Sequence, residues 1–242
     1  MLLLTGCVVT SASPTGAPTS AVSPVGGPTT QPSPAISPTP SGPDPSPSPT
    51  CEHVDRDMAW TVKVPGRANI FGAGRDTAPE PGGGGAGTLP SMVQLPVESI
   101  VVTVPCVTGQ VTPFVGQPLF NGPNGDRQGA GGSSTDVTSF QGISGIINRG
   151  NGMFLVGVFL TDVEPPDPAP ERLDFTDNED FAELAPEIGQ TFFIGDGIGR
   201  SFRVPAGATR LFLGFADAFR YEGAPGWYDN NAGSFEVTVA AE

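Results

Sequence analysis

Beyond residue 58 or so, apolar and polar residues alternate in short runs with a period of two. Trp60-Thr61-Val62-Lys63-Val64 is one such run, the pattern of a half-buried strand. Ser99 to Pro105 is rich in β-branched residues and continues into Thr108-Gly109-Gln110-Val111-Thr112. Ile143 to Ile147, Thr191 to Ile194 and Ser201 to Val204 read as further strands. Two runs have no polar face. One is Met153 to Leu160, containing FLVGVFL; the other is Thr209 to Ala216, where Leu211, Leu213 and Phe215 alternate with Phe212, Gly214 and Ala216. Strands apolar on both faces belong in the middle of a packed sheet. Phe235, Val237 and Val239 then share one face of a last strand. Ala68 to Gly74 predicts another short strand, and Phe181 to Leu184 one helical turn. Roughly eight or nine strands with regular turns and no long helix predict an all-β fold, an antiparallel β-sandwich.

The first fifty residues have a different character. Met1 to Cys7, MLLLTGC, ends in Leu-Thr-Gly-Cys, which resembles a bacterial lipobox with Cys7 as the acylated residue. A basic segment and a longer apolar segment normally precede such a site, so residues 1–7 are read as a truncated signal peptide. Val8 to Thr50 is nearly all Ser, Thr, Pro, Ala and Gly, with Asp44 its only charge. Too little apolar surface is present to offset the entropy of ordering, which predicts a disordered linker over residues 8–50. Fully extended, it would reach roughly 130 Å. No stretch approaches 18 consecutive apolar residues, so no transmembrane helix is predicted. The expected setting is extracytoplasmic: a membrane-anchored lipoprotein in the periplasm or at the cell surface, touching the membrane through its lipid alone.

Charge narrows the partners. The formal net charge is −14, Lys63 is the only lysine, and no basic cluster exists, so nucleic acid is not an expected partner. Cys51 and Cys106 remain once Cys7 is set aside. In an exported chain an isolated pair of this kind is expected to form a disulfide, stabilising by roughly 4 kcal/mol for a loop of that length. His53 with these two cysteines does not make a zinc site, because a structural zinc normally needs four ligands.

The chemistry is concentrated near the end of the chain. Between the strand at Thr209 and the strand at Phe235, Asp217, Asp229, Asn230 and Asn231 supply carboxylate and amide oxygens, with Gly223 and Gly226 in the intervening loop. Read as a long hairpin, its mouth would hold all four. Hard cations such as Ca2+ take six to eight oxygen ligands of this kind. Asp and Asn also favour tight turns with no metal near. Leu173 to Asp180 is rich in carboxylates too, but lacks the glycine and spacing of an EF-hand loop and reads as a solvated loop. The glycines of Pro79 to Gly87 follow no strand, open no helix and lack a GK[ST], which argues against a phosphate cradle.

Leu213 to Val237 resembles the C-terminal hairpin of the small calcium-dependent galactophilic lectins of bacteria, which are galactose-binding-like, jelly-roll-type β-sandwiches. The matching residues are Asp217, Pro225-Gly226, Trp227, and the pair Asn230-Asn231 ahead of Gly233-Ser234-Phe235. Gly122-Pro123-Asn124-Gly125-Asp126-Arg127 resembles the loop beside the sugar in that family. The family's sugar-contacting His and Gln have no counterpart in Gln128 to Gly132. The resemblance implies a lectin-like domain over residues 51–242. It implies a calcium site of Asp217, Asn230, Asn231, the Trp227 carbonyl and a carbonyl from Thr112 or Pro113. It also implies a carbohydrate held by Asp126, Asn230 and Asn231, with Trp227 or Tyr228 stacking on its face.

An enzyme is not expected. His53 is the only histidine and sits at the linker boundary, and no carboxylate pair lies in an identifiable motif. Two readings remain: a surface-anchored, calcium-dependent carbohydrate-binding module, and a structural or adhesion module of the same fold whose metal is structural or absent.

Overall fold

A computed structural model describes residues 59–126 and 134–242. Cys7, Cys51, His53, the linker and Arg127 to Gly132 lie outside the described residues. The lipidation and disulfide expectations therefore stay as expectations. Cys106 itself is buried in a strand.

The predicted all-β sandwich is present, with thirteen strands among the described residues. One sheet contains β1 (Ala59–Pro65), β13 (Ala232–Ala241), β3 (Val101–Thr112), β10 (Ser201–Arg203) and β8 (Glu183–Leu184), in that order. The second contains β2 (Ser91–Gln94), β11 (Arg210–Gly214), β6 (Val156–Leu160) and β9 (Thr191–Phe193). The third is smaller: β12 (Glu222–Gly223), β4 (Ser134–Val137), β5 (Ile146–Arg149) and β7 (Leu173–Asp174). Pairing is antiparallel except for three two-residue contacts, β10 with β8, β12 with β4 and β5 with β7.

Alternation accounts for the first sheet. Phe235, Val237, Val239 and Ala241 of β13 turn inward while Glu236 faces solvent, so one face of β13 is buried along its length. The two fully apolar runs occupy the interior of the second sheet. β11 lies between β2 and β6, and every residue of β6 is buried. The sheets meet through aromatic rings: Phe192 of β9 lies 4.9 Å from Phe202 of β10, and Phe215 lies 5.7 Å from Phe235. Each such ring removes on the order of 150–250 Å² from water, which makes these contacts the main apolar term joining the layers.

Several expectations are corrected. Ala68 to Gly74 is not a strand: Ile70–Gly72 forms a single 3-10 turn capped by Asn69, whose side chain accepts from the Phe71 amide. Leu184 lies in strand β8 rather than in a helical turn, because β10 offers it a parallel partner. The largest correction concerns the end of the chain. β11 pairs with β2 and β6, whereas β13 pairs with β1 and β3. The two strands read as one hairpin therefore belong to different sheets, and the loop between them crosses the edge of the sandwich.

Candidate functional site

The crossing loop begins where β11 leaves its sheet. Phe215, Ala216 and Asp217 continue the strand direction, and Tyr228 returns to pin it. The Tyr228 hydroxyl accepts from the Asp217 amide at 2.9 Å and donates to the Phe215 carbonyl at 3.0 Å. Between them the chain makes a 3-10 turn at Phe219–Tyr221, pairs briefly as β12 with β4, and comes back through Pro225-Gly226. The Gly226 amide then donates to the Asp217 carbonyl at 3.0 Å. One more 3-10 turn, Tyr228–Asn230, leads into Asn231 and β13.

The glycine-rich loop holds the returning strand in place. Gly82 donates to the Pro225 carbonyl, and the carbonyls of Gly83 and Gly85 accept from the amides of Trp227 and Tyr228. A Cβ on Gly84 would come within 2.5 Å of the Trp227 ring, and its φ is +75°. Only glycine lets the backbone approach the indole this closely. This segment is thus a backbone splint for residues 225–229, in keeping with its lack of phosphate-cradle features.

Asp217 ends up 5% exposed. Its Oδ1 accepts from the Ala218 amide at 2.7 Å and its Oδ2 from the Asn231 side-chain amide at 2.8 Å. Burial outweighs both hydrogen bonds and pushes its pKa up to about 7, because desolvation disfavours the charged form. Asn231 is 1% exposed, and its Oδ1 is buried without a hydrogen-bond partner; the Oδ1 of Asn230 is in the same condition. An unsatisfied buried acceptor costs about 1–3 kcal/mol. Two such acceptors, on Asn230 and on the Asn231 that bonds Asp217, thus accompany the buried carboxylate.

Asp217 and Asn230 line a cleft of about 160 Å³ together with Pro113, Phe114, Ala218, Phe219, Arg220, Tyr221 and Trp227. Four expected metal residues, Asp217, Trp227, Asn230 and Pro113, meet in this one cleft, and Asn231 joins them through its bond to Asp217. Of the two carbonyl candidates on β3 and its exit, Pro113 lines the cleft, whereas Thr112 is paired with Ala232 in the sheet. The Val115 amide donates to the Asn230 carbonyl at 2.5 Å, fixing this exit against the returning turn. A donor set of carboxylate and amide oxygens suits a hard cation over a soft one. Among the described residues no group of three or more His, Cys, Asp or Glu side chains comes together, so one carboxylate and neutral oxygens make up this site.

Three expected residues are elsewhere. Asp229 faces away from the cleft, ion-paired with Arg67 and accepting from the Gly87 amide at 3.2 Å. Tyr228 is 0% exposed with its hydroxyl fully engaged, so its ring is part of the core and closed to stacking on a sugar. Asp126 is half-buried, its amide bonded to the Gly152 carbonyl at 3.0 Å. It is not in the lining of the cleft, but its charge is felt by the Tyr221 hydroxyl inside it. Burial first, then the charges of Asp217 and Asp126, raise that hydroxyl well above its usual pKa.

Sequence reasoning missed the opposite wall. Phe219 is 53% exposed, its ring 4.9 Å from that of Trp227, and the Arg220 guanidinium lies 5.3 Å from the Phe219 ring centre. Arg220, Tyr221 and Trp227 have φ of 57°, 61° and 68°, three of the six non-glycine residues with positive φ among those described. Strained backbone of this sort persists where the surrounding structure enforces it, and clusters at ligand clamps. The Phe219-Arg220-Tyr221 run, one residue beyond Asp217, was the available signal.

Fold and site together define an all-β sandwich with an aromatic-rimmed cleft, backed by buried Asp217 and Asn oxygens, at the point where the chain crosses between sheets. No family model matches the chain, and no curated protein matches it. Among solved structures it is similar to one described as "EclA N-terminal domain; PllA-like lectin", at 16% identity. The match covers 76% of this chain and 96% of that one, with a TM-score of 0.31. A likeness of that extent carries no argument about what this chain binds.

Proposed function

We propose that the domain is a calcium-dependent carbohydrate-binding module. The observation that supports this most is the pair of buried, partnerless Oδ1 atoms on Asn230 and Asn231 beside the buried carboxylate of Asp217. Asp217, Asn230 and Asn231, with the carbonyls of Trp227 and Pro113, would hold the ion. Bound there, calcium would supply charge and open coordination positions for vicinal hydroxyls. The chain's own contribution is placement: Tyr228 fixes the end of β11, the glycine-rich loop fixes Trp227, and Phe219 and Trp227 offer apolar rings to a sugar face. Asp126 would serve as an outer hydroxyl acceptor. In this reading Cys7 carries a lipid anchor, residues 8–50 are a tether, and Cys51 bridges Cys106 in an extracytoplasmic setting.

One observation favours the structural alternative, in which any metal only ties the crossing loop. Asn231 already donates to Asp217 across the crossing, so that contact exists without a ligand.

Calorimetric titration of calcium into the chelator-treated chain, repeated with neutral and acidic methyl glycosides present, separates the readings. Calcium binding that tightens with a sugar establishes the module, because two ligands that help each other must do so reciprocally. Calcium binding indifferent to every sugar leaves the structural alternative, and no calcium binding rejects both metal readings.

A further inference from the structure

In a chain of net charge −14, arginines find acidic partners easily. Arg67, Arg75, Arg149, Arg172, Arg200 and Arg203 each hold a carboxylate, and Arg210 donates to the carbonyls of Thr161 and Val163. Among the described residues Arg220 alone has no carboxylate or carbonyl partner. Its one contact is the Phe219 ring, 5.3 Å from the guanidinium carbon. It is exposed, lies in the left-handed region at φ 57°, and lines the same cleft as Asp217 and Asn230. Strained backbone thus places Arg220 at the rim of the cleft that Asp217 and Asn230 also line, with none of its five N–H donors bonded to the protein.

Resting on the calcium-and-sugar reading above, we infer that this cleft selects acidic carbohydrates, hexuronates and their glycosides, with Arg220 taking the sugar carboxylate. The chemistry is complementary on each side. Guanidinium binds carboxylate in a two-bond fork, the flat rings of Phe219 and Trp227 meet the C–H face of a pyranose, and the cation engages ring hydroxyls. A bound cation would add to the positive charge that Arg220 brings to the cleft, so calcium favours the uronate more than it favours the neutral sugar. A neutral hexoside leaves Arg220 without its partner and gains nothing from it.

The test uses the full chain at saturating calcium and matched pairs of methyl hexopyranosides and methyl hexopyranosiduronates in the galacto, gluco and manno series. In at least one pair the uronate binds about tenfold tighter than its neutral counterpart, the ratio that about 1.4 kcal/mol of charge-assisted bonding would give. Arg220→Gln, which removes the charge and keeps a polar end, brings the uronate to the neutral level and leaves the neutral sugar within about twofold. Arg220→Lys retains part of the preference. Equal binding of both members of every pair by the parent overturns the inference while leaving carbohydrate binding in place. A uronate preference that survives Arg220→Gln also overturns it, and assigns the carboxylate to the ion alone. Failure of every sugar to bind in calcium removes the carbohydrate reading and this inference with it.

Discussion

The side-chain amide of Asn231 donates to Oδ2 of Asp217 at 2.8 Å, with both residues buried. Asp217 follows β11, an interior strand of one sheet, and Asn231 precedes β13, an interior strand of the other. The contact therefore ties the two sheets at the point where the chain crosses between them, and it does so with the oxygens expected to bind a cation. Replacing both residues, Asp217→Ala with Asn231→Ala, should abolish calcium-dependent stabilisation while the sandwich stays folded. At calcium 100-fold above its dissociation constant the parent should gain about 2.7 kcal/mol, read as a rise in Tm. Equal shifts in parent and variant would show that the ion binds elsewhere.

The state of Asp217 makes stability depend on pH. Its folded pKa, raised to about 7, lies above its ordinary value of 3.8. The folded protein thus keeps a proton that the unfolded chain releases. Stability from this group is complete below about pH 4 and is lost as pH rises toward 7, by up to roughly 4 kcal/mol. Calcium favours the ionised form, so its affinity should climb over the same interval. Chelator-treated protein should show a Tm that declines from pH 4 to 7 more steeply than that of Asp217→Asn. Parallel Tm profiles for the two would contradict this assignment of the titration.

Tyr228 couples the crossing loop to the strand end. Tyr228→Phe keeps the ring in the core but leaves the Asp217 amide and Phe215 carbonyl without the hydroxyl they share. The loss should be about 1–3 kcal/mol in urea unfolding, with weaker calcium binding as Asp217 loosens. A variant as stable as the parent would mean that water replaces the hydroxyl.

Gly84→Ala tests the splint. The added methyl would meet the Trp227 ring, and the position would have to hold alanine at φ +75°. A cost of about 1–3 kcal/mol is expected, together with a change in tryptophan fluorescence and a loss of sugar affinity exceeding the loss of calcium affinity. Unchanged fluorescence would show that the loop yields and the indole does not.

The longer strands were legible in the sequence, β1, β3 and β13 by alternation and β6 and β11 as runs apolar on both faces. Both patterns record burial residue by residue, and that information is local. The two-residue strands β7, β8 and β12 exist only because a neighbour offers hydrogen bonds, and nothing in Glu183-Leu184 or Glu222-Gly223 announces it. β4 escaped notice for a similar reason: Ser134-Thr135-Asp136-Val137 reads as polar loop until β5 pairs with it.

The oxygen donors Asp217, Asn230 and Asn231 and the aromatic Trp227 were also identifiable from residue type and spacing alone. What the sequence determined by itself, then, is a sandwich of alternating strands with those donors flanking one glycine- and proline-rich loop. Tertiary structure alone decided that the flanking strands join different sheets, that Asp229 turns away to Arg67, that Tyr228 enters the core, and that Phe219 and Arg220 become the far wall. The physical reason is the range of the interactions. Alternation is imposed one residue at a time by which face meets water. The choice of partner strand, and the fate of each loop side chain, follow from burial and hydrogen bonding between segments distant along the chain.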